Sequence, residues 1–142
     1  MKKLKAIVIY DSKNGVTKKY GEEISEFLRK KDFDAKAVSI NNCSYEDILE
    51  SDYVLLGSWT NGFFLFGQHP NDLWVNFVKT IPNIKDKKIG LFATYKISTG
   101  SIFKKMKRHL GFNDEENLLE LKSRDGSLHV SAKLMINDFL KT

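Results

Sequence analysis

Leu4-Lys5-Ala6-Ile7-Val8-Ile9-Tyr10-Asp11-Ser12-Lys13-Asn14-Gly15-Val16-Thr17-Lys18-Lys19-Tyr20 joins a short apolar run to a helical pattern through a polar turn. Leu4–Tyr10 has the length and near-continuous apolarity of a strand buried on both faces, as strands of parallel sheets are. From Val16 the period changes: Val16, Tyr20, Ile24, Phe27 and Leu28 share one face of a helix running to about Lys31. Strand, tight turn and helix in that order open a βαβ unit.

The turn, Ser12-Lys13-Asn14-Gly15-Val16-Thr17, is rich in hydrogen-bond donors. A helix N-terminus leaves its first backbone N–H groups unpaired and carries roughly half a positive charge, so it attracts phosphate. Ser12, Asn14 and Thr17 add side-chain donors, and Gly15 keeps a Cβ out of the turn. The same residues also fit an ordinary strand-to-helix turn with a capping Ser or Asn and a turn glycine. The segment alone leaves both readings open.

The alternation then continues to the end of the chain. Phe33–Ile40 reads as a second strand, and Ser44 caps a short helix through Leu49 with Asp47 in its first turn. Tyr53–Ser58 is the third strand, with a Val54-Leu55-Leu56 core buried on both faces. A loop is expected from Trp59 to about His69. Pro70 then opens a helix whose inward face is Leu73, Trp74, Phe77, Val78 and Ile81, and Pro82 ends it. Lys88–Thr94 is strand four, Thr99–Leu110 helix four, Asn117–Lys122 strand five and Leu128–Leu140 the closing helix. Five strands alternating with five helices predict a single α/β domain over residues 1–142. The expected architecture is a three-layer sandwich around a five-stranded parallel sheet of order 2-1-3-4-5. In that order the winding reverses between strands one and three, and ligands bind at the carboxyl edge there.

Composition narrows the function classes. With 142 residues and 42% hydrophobic content the chain has apolar mass for one substantial core. No apolar run approaches the roughly 20 residues of a membrane span, and the Lys-rich start lacks a long apolar segment before a cleavage site, so a cytoplasmic protein is expected. Cys43, the lone cysteine, has no internal disulfide partner and reads as a small, partly buried residue near a helix start. No His, Cys or Asp cluster has metal-ligand spacing. The net charge of +5 favours acidic partners, yet the densest basic run, Lys104, Lys105, Lys107 and Arg108, interleaves with Ile102, Phe103, Met106 and Leu110 at helical spacing. That pattern fits an amphipathic helix with a solvated basic face better than a nucleic-acid surface.

Three loops would meet at the carboxyl edge. After strand three, Gly57-Ser58-Trp59-Thr60-Asn61-Gly62 runs into Phe63-Phe64-Leu65-Phe66-Gly67. So apolar a connection needs cover from the core, from a second copy, or from a flat aromatic ligand. After strand four, Phe92-Ala93-Thr94-Tyr95-Lys96 directs Tyr95 toward the crevice of Trp59, unless it is an ordinary strand-end tyrosine. A phosphate cradle on one side and aromatics on the other suit a ligand with a phosphate tail and a planar ring. FMN has that shape.

Here the chain resembles the flavodoxin family, short-chain type, over essentially its whole length. Ser12-Lys13-Asn14-Gly15-Val16-Thr17 is similar to the family's phosphate loop, Gly57-Ser58-Trp59-Thr60-Asn61-Gly62 to its first ring-binding loop, and Ala93-Thr94-Tyr95-Lys96 occupies the second. The resemblance implies that Ser12, Asn14, Gly15 and Thr17 hold the phosphate of FMN, with Lys13 and Val16 in the same loop. It implies that Ser58, Trp59 and Thr60, with Asn61 and Gly62 beside them, line one side of the flavin, while Thr94, Tyr95 and Lys96 face the other. Ser58 and Thr60 could instead close over the phosphate or ribityl chain. Two positions depart from the family: Asn14 stands where a hydroxyl residue is usual and Val16 where an Asn is common, so phosphate binding leans on backbone donors. Lys96 puts a positive charge where electron-transfer flavodoxins keep negative charge.

The expected function is an FMN-binding electron carrier between a reductase and a partner enzyme, with no catalytic side chain of its own. The alternatives are an FMN-dependent oxidoreductase, for example quinone-reducing, with His69 or Tyr95 as proton donor, and a non-redox binding protein on the same fold. A phosphoacceptor receiver domain is disfavoured because Asp11 stands alone, and a low-molecular-weight phosphatase because the first loop has no cysteine. Redox partners with acidic docking surfaces follow from the basic charge, and an ammonium at Lys96 would make the flavin potential less negative than a typical flavodoxin's.

Overall fold

A computed structural model describes residues 3–63 and 66–142. Strands β1 (Lys5–Asp11), β2 (Asp34–Ser39), β3 (Tyr53–Phe63), β5 (Lys88–Thr94) and β6 (Leu119–Ser123) form a parallel sheet in the order β2-β1-β3-β5-β6. The five parallel strands thus stand in the expected order. A further strand, β4 (Phe66–Pro70), pairs antiparallel with the end of β3. Helices α1 (Val16–Lys30), α2 (Tyr45–Glu50), α3 (Asp72–Val78), α4 (Ile102–His109) and α5 (Val130–Leu140) cover the two faces.

Alternation along β1 decides which helix sees which side chain. Ala6, Val8 and Tyr10 join Leu55, Phe92 and Leu121 in a core with Tyr20, Ile24 and Leu28 of α1 and Ala132 and Ile136 of α5. Ile7 and Ile9 point the other way, onto Ile48 of α2, Trp74 and Val78 of α3, and Ile102 and Met106 of α4. Such two-sided burial is why β1 and β5 read as apolar runs without a polar face. Edge strand β2 alternates exposed and covered residues at its start, and its sequence signal is correspondingly weaker. Ser44 caps α2 by accepting the N–H of Asp47 at 3.1 Å.

The expected loop between strand three and helix three is largely a β-hairpin. β3 does not end at Ser58 but continues through Trp59 and Thr60, residue types that favour strands, and β4 returns with Thr60 opposite Pro70 and Asn61 opposite His69. Gly62 is needed there: its φ of 135° lies in the region L side chains avoid, and a Cβ would meet the Gly67 carbonyl oxygen at 2.6 Å. Phe64 and Leu65 of the apolar run lie outside the described residues, as do the side chains of Phe63 and Phe66. Pro70 closes β4 instead of opening the helix; α3 begins at Asp72 with Asn71 as its N-cap, and Leu73, expected inward, is exposed. Helices four and five start later than the apolar period implied, at Ile102 and Val130.

Intramolecular bonds take up much of the basic run on α4. Lys105 donates to the Gln68 carbonyl at 2.7 Å, seating the hairpin on the helix. Lys107 is buried, paired with Glu120 at 3.0 Å and bonded to the carbonyls of Asp114 and Glu116, while Arg108 grips Asp114. The solvated basic face therefore shrinks to Lys104 and the outer part of Arg108.

Packing at the sheet centre sets one sharp limit. Gly57 lies beside Phe92, whose ring would sit 2.0 Å from a Cβ added to the glycine, and Tyr20 meets that ring edge-on with centroids 5.9 Å apart. Gly57→Ala should lower unfolding stability by about 1–3 kcal/mol or more, and Phe92→Leu in the same chain should return part of the loss. Denaturant melts of the single and double variants measure both.

Candidate functional site

At the carboxyl edge, the segments that follow β1, β5 and β6 face the β3–β4 hairpin across a crevice of about 460 Å³. That volume falls within the roughly 300–1,000 Å³ of small-molecule sites. Lys13, Asn14 and Val16 line one flank, Trp59, Thr60, Asn61 and Gly62 the second, and Thr94, Tyr95 and Lys96 the third. Ser12, Gly15, Thr17 and Ser58 do not line it.

Those four build the frame instead. Ser12 Oγ accepts the N–H groups of Gly15 at 3.1 Å and Lys18 at 3.2 Å, which folds the loop over the start of α1. Gly15 is the N-cap, with a φ of 93° and nothing within 4 Å of a built Cβ. The glycine is thus required by its backbone angle, not by lack of room. Thr17 Oγ1 is 2.6 Å from Thr94 Oγ1 in a buried pair that ties α1 to the end of β5. Ser58 donates to the Trp59 carbonyl at 2.8 Å and accepts the Asn71 N–H at 3.1 Å, closing the base of the hairpin. The Asn71 side chain donates to Asp11 at 2.6 Å, and burial raises the Asp11 carboxyl above its ordinary range, against the hydrogen bonds from Asn71 and the Trp74 N–H.

The first turn of α1 supplies anion-binding capacity from its backbone. Lys18 gives its N–H to Ser12, while the N–H groups of Val16 and Thr17 precede the helix's own ladder. Thr60 Oγ1 is buried beside the crevice without a hydrogen-bond partner among the described residues. A bound polar group would satisfy it.

Charge on the crevice lining is of one sign. Lys13 Nζ lies 4.9 Å from the centre of the Trp59 ring, and the Arg124 guanidinium 5.5 Å from that of Tyr95. With Lys96 they place three cations on the lining, which contains no carboxylate. Arg124, Gln68, Ile97 and Ser98 are lining residues that the motif reading missed. Arg124 follows the last parallel strand, so the carboxyl-edge rule was the available signal; Gln68 arrives only through the hairpin. The loop that carries Arg124 is stapled by Asp125, which accepts the Ser127 N–H at 2.9 Å, His129 Nε2 at 3.1 Å and Ser123 Oγ at 3.1 Å. Chiefly the Ser127 N–H, and then His129, hold the Asp125 carboxyl down at about 2.

Two other candidates stand apart. His69 is not on the lining and places Nδ1 2.8 Å from the Pro70 carbonyl. Cys43 is half-buried beside the cap of α2, and burial pushes its thiol up to about 11. No group of His, Cys, Asp and Glu among the described residues is arranged to hold a metal ion, and no described helix is long and apolar enough to cross a membrane.

Fold and site together define a doubly wound α/β protein with a ligand crevice at its topological switch. Residues 7–119 match the Flavodoxin domain family, and the chain belongs to that family. Flavodoxins bind FMN and carry electrons. Among solved structures, an archaeal flavodoxin shares 23% identity over 97% of this chain and 98% of its own, with a TM-score of 0.74. The two-electron reduced flavodoxin of Megasphaera elsdenii shares 21% over 98% and 100%, with a TM-score of 0.75. The rubredoxin oxygen:oxidoreductase of Desulfovibrio gigas shares 19% over 98% of this chain but 36% of that one, with the same TM-score of 0.75. Among curated proteins no relative is found.

The Asp125 staple can be checked directly. Its folded value lies below the ordinary one, so the stability it lends the loop is present above about pH 4 and is lost as pH falls through about 2. A carboxylate titration followed by carbon NMR should place its midpoint near 2, and a midpoint near 4 contradicts the bonds described.

Proposed function

We propose that this protein is a cytoplasmic electron carrier that binds FMN in the carboxyl-edge crevice, receives electrons from a reductase and delivers them to a partner enzyme. The supporting observation is the crevice itself. Helix N-terminal amides after β1 face Trp59 on β3 and Tyr95 after β5, and the lining holds three cations and no carboxylate. Bound FMN would supply the redox chemistry. The chain's own task is to hold and orient it: Asn14 and the amides around Gly15 at the phosphate, Trp59 and Tyr95 at the ring, Thr60 Oγ1 toward a polar atom of the ligand, and Lys96 close enough to bias its charge.

An oxidoreductase with its own substrate needs a proton donor in the crevice. His69 is not on the lining, which leaves Tyr95, and Tyr95 stands under the Arg124 guanidinium. The carrier needs no such group. Adding FMN to the purified chain should give a yellow complex with a bound-flavin absorption spectrum. Reductive titration should then proceed in two separable one-electron steps; direct two-electron reduction with steady NAD(P)H turnover would favour the oxidoreductase.

Magnitudes rank the contacts. Burying an aromatic side chain removes about 150–250 Å² from water, worth roughly 4–6 kcal/mol at most, part of which Trp59 already gains in the protein. A hydrogen bond to a charged group contributes about 1.5–3 kcal/mol, and the Thr17 hydroxyl is engaged with Thr94. Trp59→Ala should therefore weaken FMN binding more than Thr17→Val in a fluorescence titration. An ammonium near the ring favours the more negative, reduced form, by about 1 kcal/mol at 4 Å in bulk water and more where water is excluded. Lys96→Gln should accordingly make the flavin midpoint potential more negative, as spectroelectrochemistry would record; an unchanged potential removes Lys96 from this role.

A further inference from the structure

Some cations among the described residues are paired with carboxylates, and the three that line the crevice are not. Lys3 is paired with Asp32, Lys5 with Glu50, Arg29 with Glu26, Lys36 with Asp47, Lys107 with Glu120 and Arg108 with Asp114. Lys13, Lys96 and Arg124 are all exposed, and none has an ion-pair partner among the described residues; the four residues outside that description include no acid. In the segments that build the mouth, 12–15, 59–70, 95–101 and 124–129, Asp125 is the only carboxylate, and its Oδ1 accepts from the Ser127 N–H, Ser123 and His129. Within this ring of charge Ile97 is 47% exposed, an apolar spot beside Lys96.

From this arrangement we infer that the mouth of the crevice is a docking surface for the acidic face of a redox partner protein, with Lys13, Lys96 and Arg124 meeting its carboxylates and Ile97 seated at the centre of contact. The inference rests on the carrier reading above and adds the chemistry of the partner. The three cations surround the place where electrons would enter and leave, so the attraction that draws the partner in also aligns it for transfer. Charges arranged this way raise encounter rates at low salt and lose that effect as salt screens them. A nucleic acid would need phosphate contacts spread along a strand; these cations ring a concave opening with an apolar spot at its side, which suits a protuberance on a protein.

Two small oxidants of opposite charge read the sign of the field at the mouth. The FMN-loaded protein, reduced with dithionite, gives one electron to ferricyanide, a trianion that becomes ferrocyanide, or to hexaammineruthenium(III), a trication that becomes the ruthenium(II) complex. Between about 10 mM and about 500 mM salt the rate with ferricyanide should fall by about tenfold or more and the rate with the ruthenium complex should rise. The combined variant Lys13→Gln, Lys96→Gln, Arg124→Gln should lose most of that dependence. A control of equal charge, Lys30→Gln, Lys31→Gln, Lys141→Gln, changes residues at the opposite end of α1 and at the end of α5, and should keep it. Because the salt dependence within each variant is compared, a shifted potential does not mimic the result. Equal losses in the two variants would show that net charge acts, not the mouth, and would overturn the proposal.

A second measurement needs no flavin. Poly-L-glutamate added to the labelled chain should shift the amide signals of residues 12–18, 95–98 and 124–129. Shifts confined to 104–108, or tighter binding to a single-stranded oligonucleotide at the same residues, would overturn the acidic-protein assignment. A chain that stays colourless with FMN would refute the carrier reading, and the glutamate titration would still decide whether the mouth is the acid-binding face.

Discussion

Parallel pairing on both sides of β1 is the constraint from which the site follows. With β2 on one side and β3 on the other, both in parallel register, the chain must wind one way to reach β2 and the opposite way to reach β3 and β5. The connections therefore diverge at the carboxyl end of β1 and leave a gap between them. Every parallel strand delivers its last residues to the same edge, so Asp11 and Ser58 come opposite one another, as do Trp59 and Thr94. The crevice is a consequence of topology before any side chain is chosen.

Side chains then divide into a frame and a lining. Hydroxyls expected to face a ligand are in part spent inside the protein: Ser12 on the amides of Gly15 and Lys18, Thr17 on Thr94, Ser58 on the Trp59 carbonyl and the Asn71 amide. The Thr17 and Ser58 bonds are buried or partly buried, where a hydroxyl without a partner is costly. What remains turned toward the opening is aromatic surface, backbone amide and positive charge. The hairpin completes the wall because Lys105 and the turn at Gly100 hold Gln68 against α4; a Cβ on Gly100 would lie 2.4 Å from Gln68 Oε1.

The crevice lining carries positive charge where the family resemblance implied negative charge. Positive charge is distributed over the whole chain, and part of it away from the crevice is neutralised by neighbours on the same surface. At the mouth it is not. In the carrier proposed above, the same three residues would bear on ligand binding, on potential and on partner choice, because all three depend on the sign of charge at one small opening.

The succession of strands and helices, and with it the sheet order, was legible in the amino-acid sequence, since strands buried on both faces and amphipathic helices differ in period over many residues. So were the placement of Trp59 and Tyr95 at the carboxyl edge and of Gly15 at the helix start. The β3–β4 hairpin was not legible: Trp59-Thr60-Asn61 reads equally as loop or strand, and pairing with Gln68-His69-Pro70 depends on α4 being there to support the returning strand. Nor could sequence tell that Thr17 answers Thr94, 77 residues away, or that Arg124 reaches the ring of Tyr95. Period and turn chemistry are local properties that a chain carries with it; the partner of a hydroxyl and the neighbour of a charge are decided by what the fold brings alongside.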